Sequence, residues 1–180
     1  MPNIAPIDRK NPAAEVALQL DTVRAKLGVV PNLVATLAHS PVALNAYLGL
    51  SEATGKGELS AQDRERIALA VGQTNSCDYC LAAHSLVGRK VGLSDDEIIA
   101  ARNGRSVDAR SAAILRLARA IVDGRGRVDA AELAVARDAG LGDRAILEVL
   151  ANVVANIFTN YAGHLADTEM DFPKARALAA

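Results

Sequence analysis

Helix-start and helix-stop signals follow one another along this sequence with few residues between them. Gly28 and Gly92 stand where a helical pattern ends, and Ser40, Ser60 and Ser94 stand where the next pattern starts. Convincing alternation of apolar and polar residues, the signature of a half-buried strand, is missing throughout. The sequence therefore predicts an all-α fold.

The apolar residues of the chain are mainly small and aliphatic, with 51% hydrophobic but only 3% aromatic residues. Such side chains favour closely packed helices, and 180 residues suffice for one domain with a real core. The expected helices begin and end at these positions: 11–27, 31–37, 41–50, 60–75, 77–91, 94–102, 108–122, 129–139 and 143–166, with a loop at 54–58 and a glycine-rich turn at 123–127.

A faint internal repeat indicates two copies of a helical hairpin unit. Gly92-Leu93-Ser94-Asp95 and Gly140-Leu141-Gly142-Asp143 lie 48 residues apart. The first unit, 60–92, contains both cysteines, and the second, about 108–167, contains none. Chance similarity between alanine-rich helices is the alternative interpretation.

The charge and the hydropathy of the sequence limit the kinds of partner that the protein is expected to bind. The net charge is −1 and the pI is about 6.3, so no basic face for nucleic acid is expected. Residues 1–11 lack the apolar region of a secretory signal, and charges or Asn residues interrupt the longest apolar runs. We expect a soluble, cytoplasmic protein with neither a membrane nor a nucleic-acid partner.

The candidate chemistry lies in one short segment, which contains Cys77, Cys80 and His84. At about 100° per residue the three side chains fall within roughly 60° of one helical face. Helix neighbours at this spacing have Cβ atoms about 5–6 Å apart, so a small local adjustment would allow a disulfide. If Asn75 or Ser76 caps the helix, Cys77 lies in its first turn, where backbone N–H groups stabilise a thiolate. His84 is placed to accept a proton from Cys80.

Other interpretations of the same residues stay open to different degrees. A c-type haem site needs His directly after the second cysteine, where Leu81 stands, so that interpretation is discarded. A structural zinc site needs four ligands, and His164 is the one further His downstream. Two buried, inert cysteines are the third possibility. A redox pair fits the segment best.

The spacing of Glu65 from the cysteines carries a family resemblance. Glu65 is followed twelve residues later by Cys-x-x-Cys-x-x-x-His, and this arrangement resembles the alkylhydroperoxidase D-like branch of the carboxymuconolactone decarboxylase superfamily. Weaker flanking similarities to that branch are Pro31-Asn32, His39-Ser40-Pro41, Thr159-Asn160-Tyr161 and Asp171-Phe172-Pro173.

The resemblance implies a single AhpD-like helical domain over residues 1–180 that assembles as a trimer or hexamer. It also implies reduction of hydroperoxides without haem, metal or another cofactor. By the same resemblance, Cys80 attacks the peroxide, Cys77 resolves the product, and His84 and Glu65 relay protons. The reductant would be a dithiol, lipoyl or thioredoxin-like donor. The helix dipole alone favours the reverse order of the cysteines.

Two other functions use the same residues. One is a disulfide reductase or isomerase, and the other is a redox-sensing or zinc-binding module without turnover. The remaining histidines are weaker candidates. His164 continues a polar stripe with Asn156 and Asn160 that indicates a solvent-facing edge or an oligomer contact, or else brings His164 to the thiols. His39 is expected near a helix end, away from the chemistry.

Overall fold

The computed structural model describes residues 1–178, which form nine α-helices and no strand, so the all-α prediction is confirmed. The helices are Ala14–Leu27 (α1), Asn32–Leu37 (α2), Pro41–Gly55 (α3), Ala61–Thr74 (α4), Asp78–Lys90 (α5), Asp95–Arg102 (α6), Ala109–Asp123 (α7), Ala130–Asp138 (α8) and Asp143–Ala166 (α9).

Two helix boundaries differ from the sequence prediction by more than one residue. Helix α1 begins at Ala14 rather than at Asn11-Pro12, and no side chain caps its first turn. Helix α3 continues to Gly55 rather than ending at Leu50. Within its last turn the hydroxyl of Thr54 donates to the carbonyl of Leu50 at 3.0 Å. The first two residues of the expected loop at 54–58, Thr54 and Gly55, therefore belong to α3.

Helix α4 is the centre of the fold, because α5, α6, α7 and α9 all pack against it. Ile67, Leu69 and Val71 on this helix are completely buried. They belong to two different core clusters, one shared with α7, α8 and α9 and one shared with α5, α6 and α7. A third cluster joins α1, α2 and α3 to α9.

Ser60 and Asp63 hold the start of α4. Ser60 Oγ accepts the backbone N–H of Asp63 as expected. The carboxylate of Asp63 does not reach back to the backbone of Ser60; it accepts from Ser111 Oγ at 2.7 Å and pairs with Arg66 at 3.1 Å. An aspartate is one methylene shorter than the Glu or Gln of a capping box. Asp63 therefore joins α4 to α7.

Helix α9 has 24 residues and is the one helix in the described range that is long and apolar enough to cross a membrane by length and composition. No such segment was expected from the sequence. Helices α2, α3, α4, α5 and α7 pack against α9, and Asn152, Asn156 and Asn160 are buried at these contacts. One face of α9 thus packs against the rest of the protein, and 33% of its apolar window is buried.

The two turns of the proposed repeat are alike in detail. Gly92 and Gly140 both adopt left-handed backbone, with φ of 95° and 83°, and Leu93 and Leu141 that follow them are both buried. The helices after the turns differ, since α6 has 8 residues and α9 has 24. The division into two units remains a prediction, and the last two residues of the proposed 1–180 domain lie outside the described residues.

Candidate active site

The turn between α4 and α5 positions the first cysteine. Ser76 has a left-handed φ of 55°, and the backbone N–H of Cys77 donates to the carbonyl of Gly72 at 2.9 Å. Cys77 is itself the N-cap of α5, with its Sγ accepting the N–H of Cys80 at 3.3 Å. The prediction that Asn75 or Ser76 caps this helix is therefore wrong, because the left-handed residue places the next one at the cap.

Cys77 and Cys80 form a disulfide, with Cα atoms 5.3 Å apart. The bond is almost inaccessible to solvent, since the two residues are 1% and 3% exposed. Leu33, Tyr79 and the partly buried Phe172 surround it. The predicted proximity of the cysteines is thus observed, and the pair lies under a protein layer rather than at an open surface.

His84 and Glu65 form a hydrogen-bonded pair between α5 and α4. The distance from His84 Nδ1 to Glu65 Oε2 is 2.8 Å, and the side chains are 27% and 16% exposed. Burial lowers the pKa of His84, but the charge of Glu65 and the hydrogen bond to it raise that pKa by more. The net effect places the pKa of His84 above its usual value. The pair therefore holds a proton at Nδ1 and orients the imidazole ring.

A cavity of about 110 Å³ adjoins this pair. Besides Glu65 and His84, its lining residues are Tyr47, Ser51, Thr54, Arg64, Ala68, Asn152, Ala155, Asn156 and Thr159. Burial and the charge of Glu65 raise the pKa of Tyr47, so its phenol stays protonated and able to donate. The cavity walls that α3 and Asn152 supply were not predicted from the sequence. The spacing of four between Asn152 and Asn156 was the signal that could have extended the polar stripe.

Helices α4, α5 and α9 contribute residues both to the cavity and to the surroundings of the disulfide, at different heights along their axes. On α4, Glu65 meets His84, while the place that a Cβ would take on Gly72 is 3.7 Å from Cys80 Cβ. On α5, Cys80 precedes His84 by four residues, an axial rise of about 6 Å. The imidazole therefore lines the cavity about one helical turn along α5 from Cys80. Neither cysteine is hydrogen bonded to His84 in the described contacts, so a proton must pass through a substrate or water.

The polar stripe on α9 points inward for most of its length. Asn156 lines the cavity and Asn160 is completely buried, so the expectation of a solvent-facing edge is wrong for both. His164 is exposed, its imidazole makes no described hydrogen bond, and it does not line the cavity. His39 is also exposed and contacts the carbonyl of Ala5 at 2.9 Å. Of the three histidines, His84 is the one that lines the cavity.

The segment after α9 covers the disulfide. Tyr79 Oη accepts the N–H of Leu33 at 3.2 Å and donates to Asp171 at 2.7 Å. Phe172 packs edge-on against the Tyr79 ring, with the ring centres 5.4 Å apart. Burial, and then the bond and charge of Asp171, raise the pKa of Tyr79, although the N–H of Leu33 opposes them. Tyr79 is thus a neutral anchor between the two cysteines rather than the rim of an open pocket.

Part of this chain is similar to a known protein family. Residues 41–123 match the model of the carboxymuconolactone decarboxylase family. This segment contains α3–α7 and all four predicted site residues, Glu65, Cys77, Cys80 and His84. Among the curated proteins, none matches the chain significantly.

Solved structures share the whole fold. An uncharacterized peroxidase-related protein from Silicibacter sp. TM1040 is 26% identical, with 92% of this chain and 91% of that chain covered and a TM-score of 0.78. A second, described as an alkylhydroperoxidase AhpD core from Ralstonia eutropha JMP134, is 22% identical, with 93% of each chain covered and a TM-score of 0.82.

The chain has the AhpD-like helical fold, and residues 41–123 within it are similar to the carboxymuconolactone decarboxylase family. The AhpD-like fold also occurs in a debrominase, Bmp8, solved with 2,3,4-tribromopyrrole; it is 18% identical, with 93% of this chain and 91% of that chain covered and a TM-score of 0.80. Enzymes of this superfamily are therefore of several kinds, and the activity of this AhpD-like chain must be argued from its own site.

The arrangement of the side chains that could bind a metal ion is relevant to the alternative of a zinc site. Within residues 1–178 of this AhpD-like protein, His, Cys, Asp and Glu side chains form no group of three or more that is arranged to hold a metal ion. Cys77 and Cys80 are bonded to each other, and His84 is bonded to Glu65. The four side chains are thus arranged as two separate bonded pairs.

Proposed function

We propose that this protein is a thiol-dependent peroxidase that reduces hydroperoxides through a Cys77–Cys80 dithiol/disulfide cycle. The observation that carries the proposal is the disulfide at the N-terminus of α5, one helical turn from a hydrogen-bonded His84–Glu65 pair. A redox-active sulfur pair and an oriented proton donor are the two components that the reaction needs.

In the first half-reaction the thiolate of Cys80 attacks one oxygen of the O–O bond. The O–O bond breaks, an S–O bond forms, and the other oxygen leaves as an alcohol after it takes up a proton. Sulfur supplies two electrons and the peroxide accepts them. The raised pKa of His84 keeps its ring protonated beyond the pH at which a free histidine loses its proton. The ring is thus a suitable donor to the leaving oxygen.

In the second half-reaction the Cys77 thiolate attacks the sulfur of the Cys80 sulfenic acid. An S–S bond forms, the S–O bond breaks, and the hydroxyl leaves as water with one further proton. An external dithiol then reduces the disulfide by exchange and is itself oxidised to a disulfide. Summed over the cycle, hydroperoxide and dithiol become alcohol, water and disulfide.

The cavity beside Glu65 and His84 is the proposed approach for the peroxide. Its volume of about 110 Å³ suits a small hydroperoxide or the head of a larger one. Tyr47 and Asn156 on its walls are polar groups able to hold the peroxide oxygens. The deep burial of the disulfide favours a slim reductant, such as a lipoyl or other small dithiol, over the surface of a folded thioredoxin-like protein. A cytoplasmic location would supply such reductants.

The same burial opposes the second enzyme class, a disulfide reductase or isomerase. Such an enzyme must expose one sulfur to a disulfide in another protein, whereas Tyr79 and Phe172 pack over the pair here. A peroxide is small enough to reach a buried sulfur. The structure thus favours peroxide over a protein disulfide as the oxidant.

Single-cysteine variants test the proposal. Treatment of the Cys77→Ser variant with one equivalent of hydroperoxide should leave a sulfenic acid on Cys80 that dimedone labels, because no resolving thiol is present. The Cys80→Ser variant should not be labelled and should lose peroxide turnover. His164→Ala, an exposed histidine outside the cavity, is the matched control and should keep full activity. A dimedone adduct on Cys77 alone would reverse the roles, and none in either variant would refute the peroxidase proposal.

A further inference from the structure

One polar atom beside the disulfide has no partner. Asn160 on α9 is 0% exposed, and its Oδ1 accepts the Nδ2 of Asn75 at 2.8 Å. The Nδ2 group of Asn160 makes no hydrogen bond within the described residues. A buried donor without an acceptor costs about 1–3 kcal/mol, so its retention in a tightly packed interior calls for an explanation.

The position of Asn160 on α9 supplies that explanation. Three residues later on the same face, the place that a Cβ would take on Gly163 lies 3.8 Å from Cys77 Sγ. Four residues earlier, Asn156 lines the cavity that contains His84. Along α9, Asn160 therefore stands between a residue of the cavity wall and the residue that packs against Cys77 Sγ.

The acceptor strength of sulfur changes during a redox cycle. In a disulfide the sulfur atoms are neutral and accept hydrogen bonds poorly, whereas a thiolate or the oxygen of a sulfenate carries negative charge. A hydrogen bond to a charged acceptor is roughly twice as strong as a neutral one. A donor that is unpaired in the disulfide and paired in the reduced or sulfenate form stabilises only the charged species, which is the requirement for catalysis.

We propose that Asn160 Nδ2 donates a hydrogen bond to the negative charge that develops on the Cys77–Cys80 pair when it is reduced and attacks peroxide. The inference rests on the proposed thiol chemistry and adds a fifth catalytic residue, on a helix that is distant in sequence from the other four. Asn75 binds the oxygen of this amide, so the Nδ2 group is the part of Asn160 that is left to serve another acceptor.

Other ionisable groups also surround the pair. They are Glu65 on α4, Tyr79 and His84 on α5, and Asp171 in the C-terminal segment, with the exposed Asp78 at the start of α5 and the exposed His164 beside Gly163 on α9. A substitution at Asn160 leaves all of them in place. Any change in thiol ionisation can therefore be assigned to the amide once a structural effect is excluded.

Two variants remove the donor in different ways. Asn160→Asp keeps an oxygen to accept from Asn75 and replaces the donor by a second oxygen, and Asn160→Leu removes both functions at similar size. Two controls accompany them. Asn75→Ala breaks the same inter-amide bond but keeps Asn160 Nδ2, and Ser85→Ala removes another buried, unpartnered polar atom on α5.

Two measurements that need no peroxide keep this test separate from the peroxidase proposal. One is the rate of iodoacetamide alkylation of the reduced protein against pH, which gives the thiol pKa. The other is the thiol–disulfide equilibrium against glutathione. Both donor-removing variants should raise the lowest thiol pKa, with roughly tenfold less thiolate at neutral pH, and shift the equilibrium toward disulfide by a similar factor. Both control variants should stay within about twofold of the unmodified protein.

Three outcomes would overturn the proposal. The first is an unchanged pKa and equilibrium in both Asn160 variants. The second is an equal shift in Asn75→Ala, which would assign the effect to the inter-amide bond. The third is loss of the folded state of the disulfide form in both Asn160 variants, judged by circular dichroism, which would make the amide a structural group. If the shifts are as expected but peroxide is not consumed, the inference stands and the peroxidase proposal fails.

Discussion

Replacement of Glu65 by Gln tests whether the carboxylate acts through His84. The carboxylate lies 2.8 Å from Nδ1, and its charge and hydrogen bond hold the pKa of His84 above its usual value against the opposing effect of burial. Glutamine keeps the shape and the helix propensity but removes the charge. The pKa of His84 should therefore fall, because burial is then the dominant influence.

The effect on rate and the effect on stability have different pH dependences. Loss of an oriented proton-transfer partner typically costs about 10²–10⁴ in rate, so peroxide turnover should fall by that factor near neutral pH. The pair is partly buried, so the loss of stability should be about 1–2 kcal/mol, between the values for exposed and for buried pairs. Because the folded pKa of His84 is raised, this stabilisation is fully present below its unfolded pKa of about 6.5. It is lost as the pH rises through the folded pKa.

The assay is kcat/KM for a hydroperoxide with a small dithiol from pH 5 to 9, together with urea unfolding of the disulfide form across the same range. Glu15→Gln is the matched control, because Glu15 is an exposed first-turn glutamate of α1 and its replacement changes the charge equally. A pH–rate profile of Glu65→Gln that coincides with that of the control would refute the proton-relay role and leave Cys77, Cys80 and His84 as the site.

Two further predictions concern the covering segment and the assembly. Tyr79→Phe should lower the free energy of unfolding by about 1–3 kcal/mol, because the N–H of Leu33 loses its acceptor and Asp171 loses a donor. The same variant should speed reduction of the disulfide by a thioredoxin-like protein. An unchanged reduction rate would show that the segment after α9 does not limit access. The chain should form a homo-oligomer, since exposed apolar residues follow one face of α9 from Leu147 to Leu165. Leu165→Glu should weaken an assembly that α9 mediates. Light scattering that gives a monomer of the unmodified protein at micromolar concentration would contradict the prediction.

The sequence was sufficient for features that depend on local spacing. The Ser40, Ser60 and Ser94 caps, the left-handed Gly28 and the nearness of Cys77 to Cys80 all follow from interactions within a few residues. The AhpD-like assignment also rested on local spacing. Features of this kind are determined by helix geometry before any tertiary contact forms.

Local reasoning failed where a distant contact or an unusual backbone decided the outcome. The left-handed Ser76 moved the cap of α5 onto Cys77, and no glycine marked that position. Asn160 was interpreted as part of an edge because its partner, Asn75, is 85 residues away. Amphipathic periodicity identifies a polar stripe, but it does not say whether that stripe meets solvent or a buried site.

The Glu65–His84 pair lies between these two cases. Helix spacing alone gave no reason to place Glu65 beside His84, since the residues are on different helices, and a glutamate close to a helix start is ordinarily a solvated partner of the helix dipole. The family resemblance predicted that Glu65 and His84 act together, and the two side chains are hydrogen bonded in the structure. Neither a motif nor a family resemblance indicated that α3 lines the cavity, so the size of the cavity was not predictable from the sequence.

The central claim is that one hydroperoxide converts the reduced Cys77–Cys80 pair into its disulfide. Stoichiometric titration of the fully reduced protein, followed by intact-mass and peptide mass spectrometry, tests it most directly. We expect a loss of two hydrogens per chain for each equivalent of peroxide, a single Cys77–Cys80 bridge, and one equivalent of alcohol. Two thiols that remain free after peroxide treatment would contradict the account.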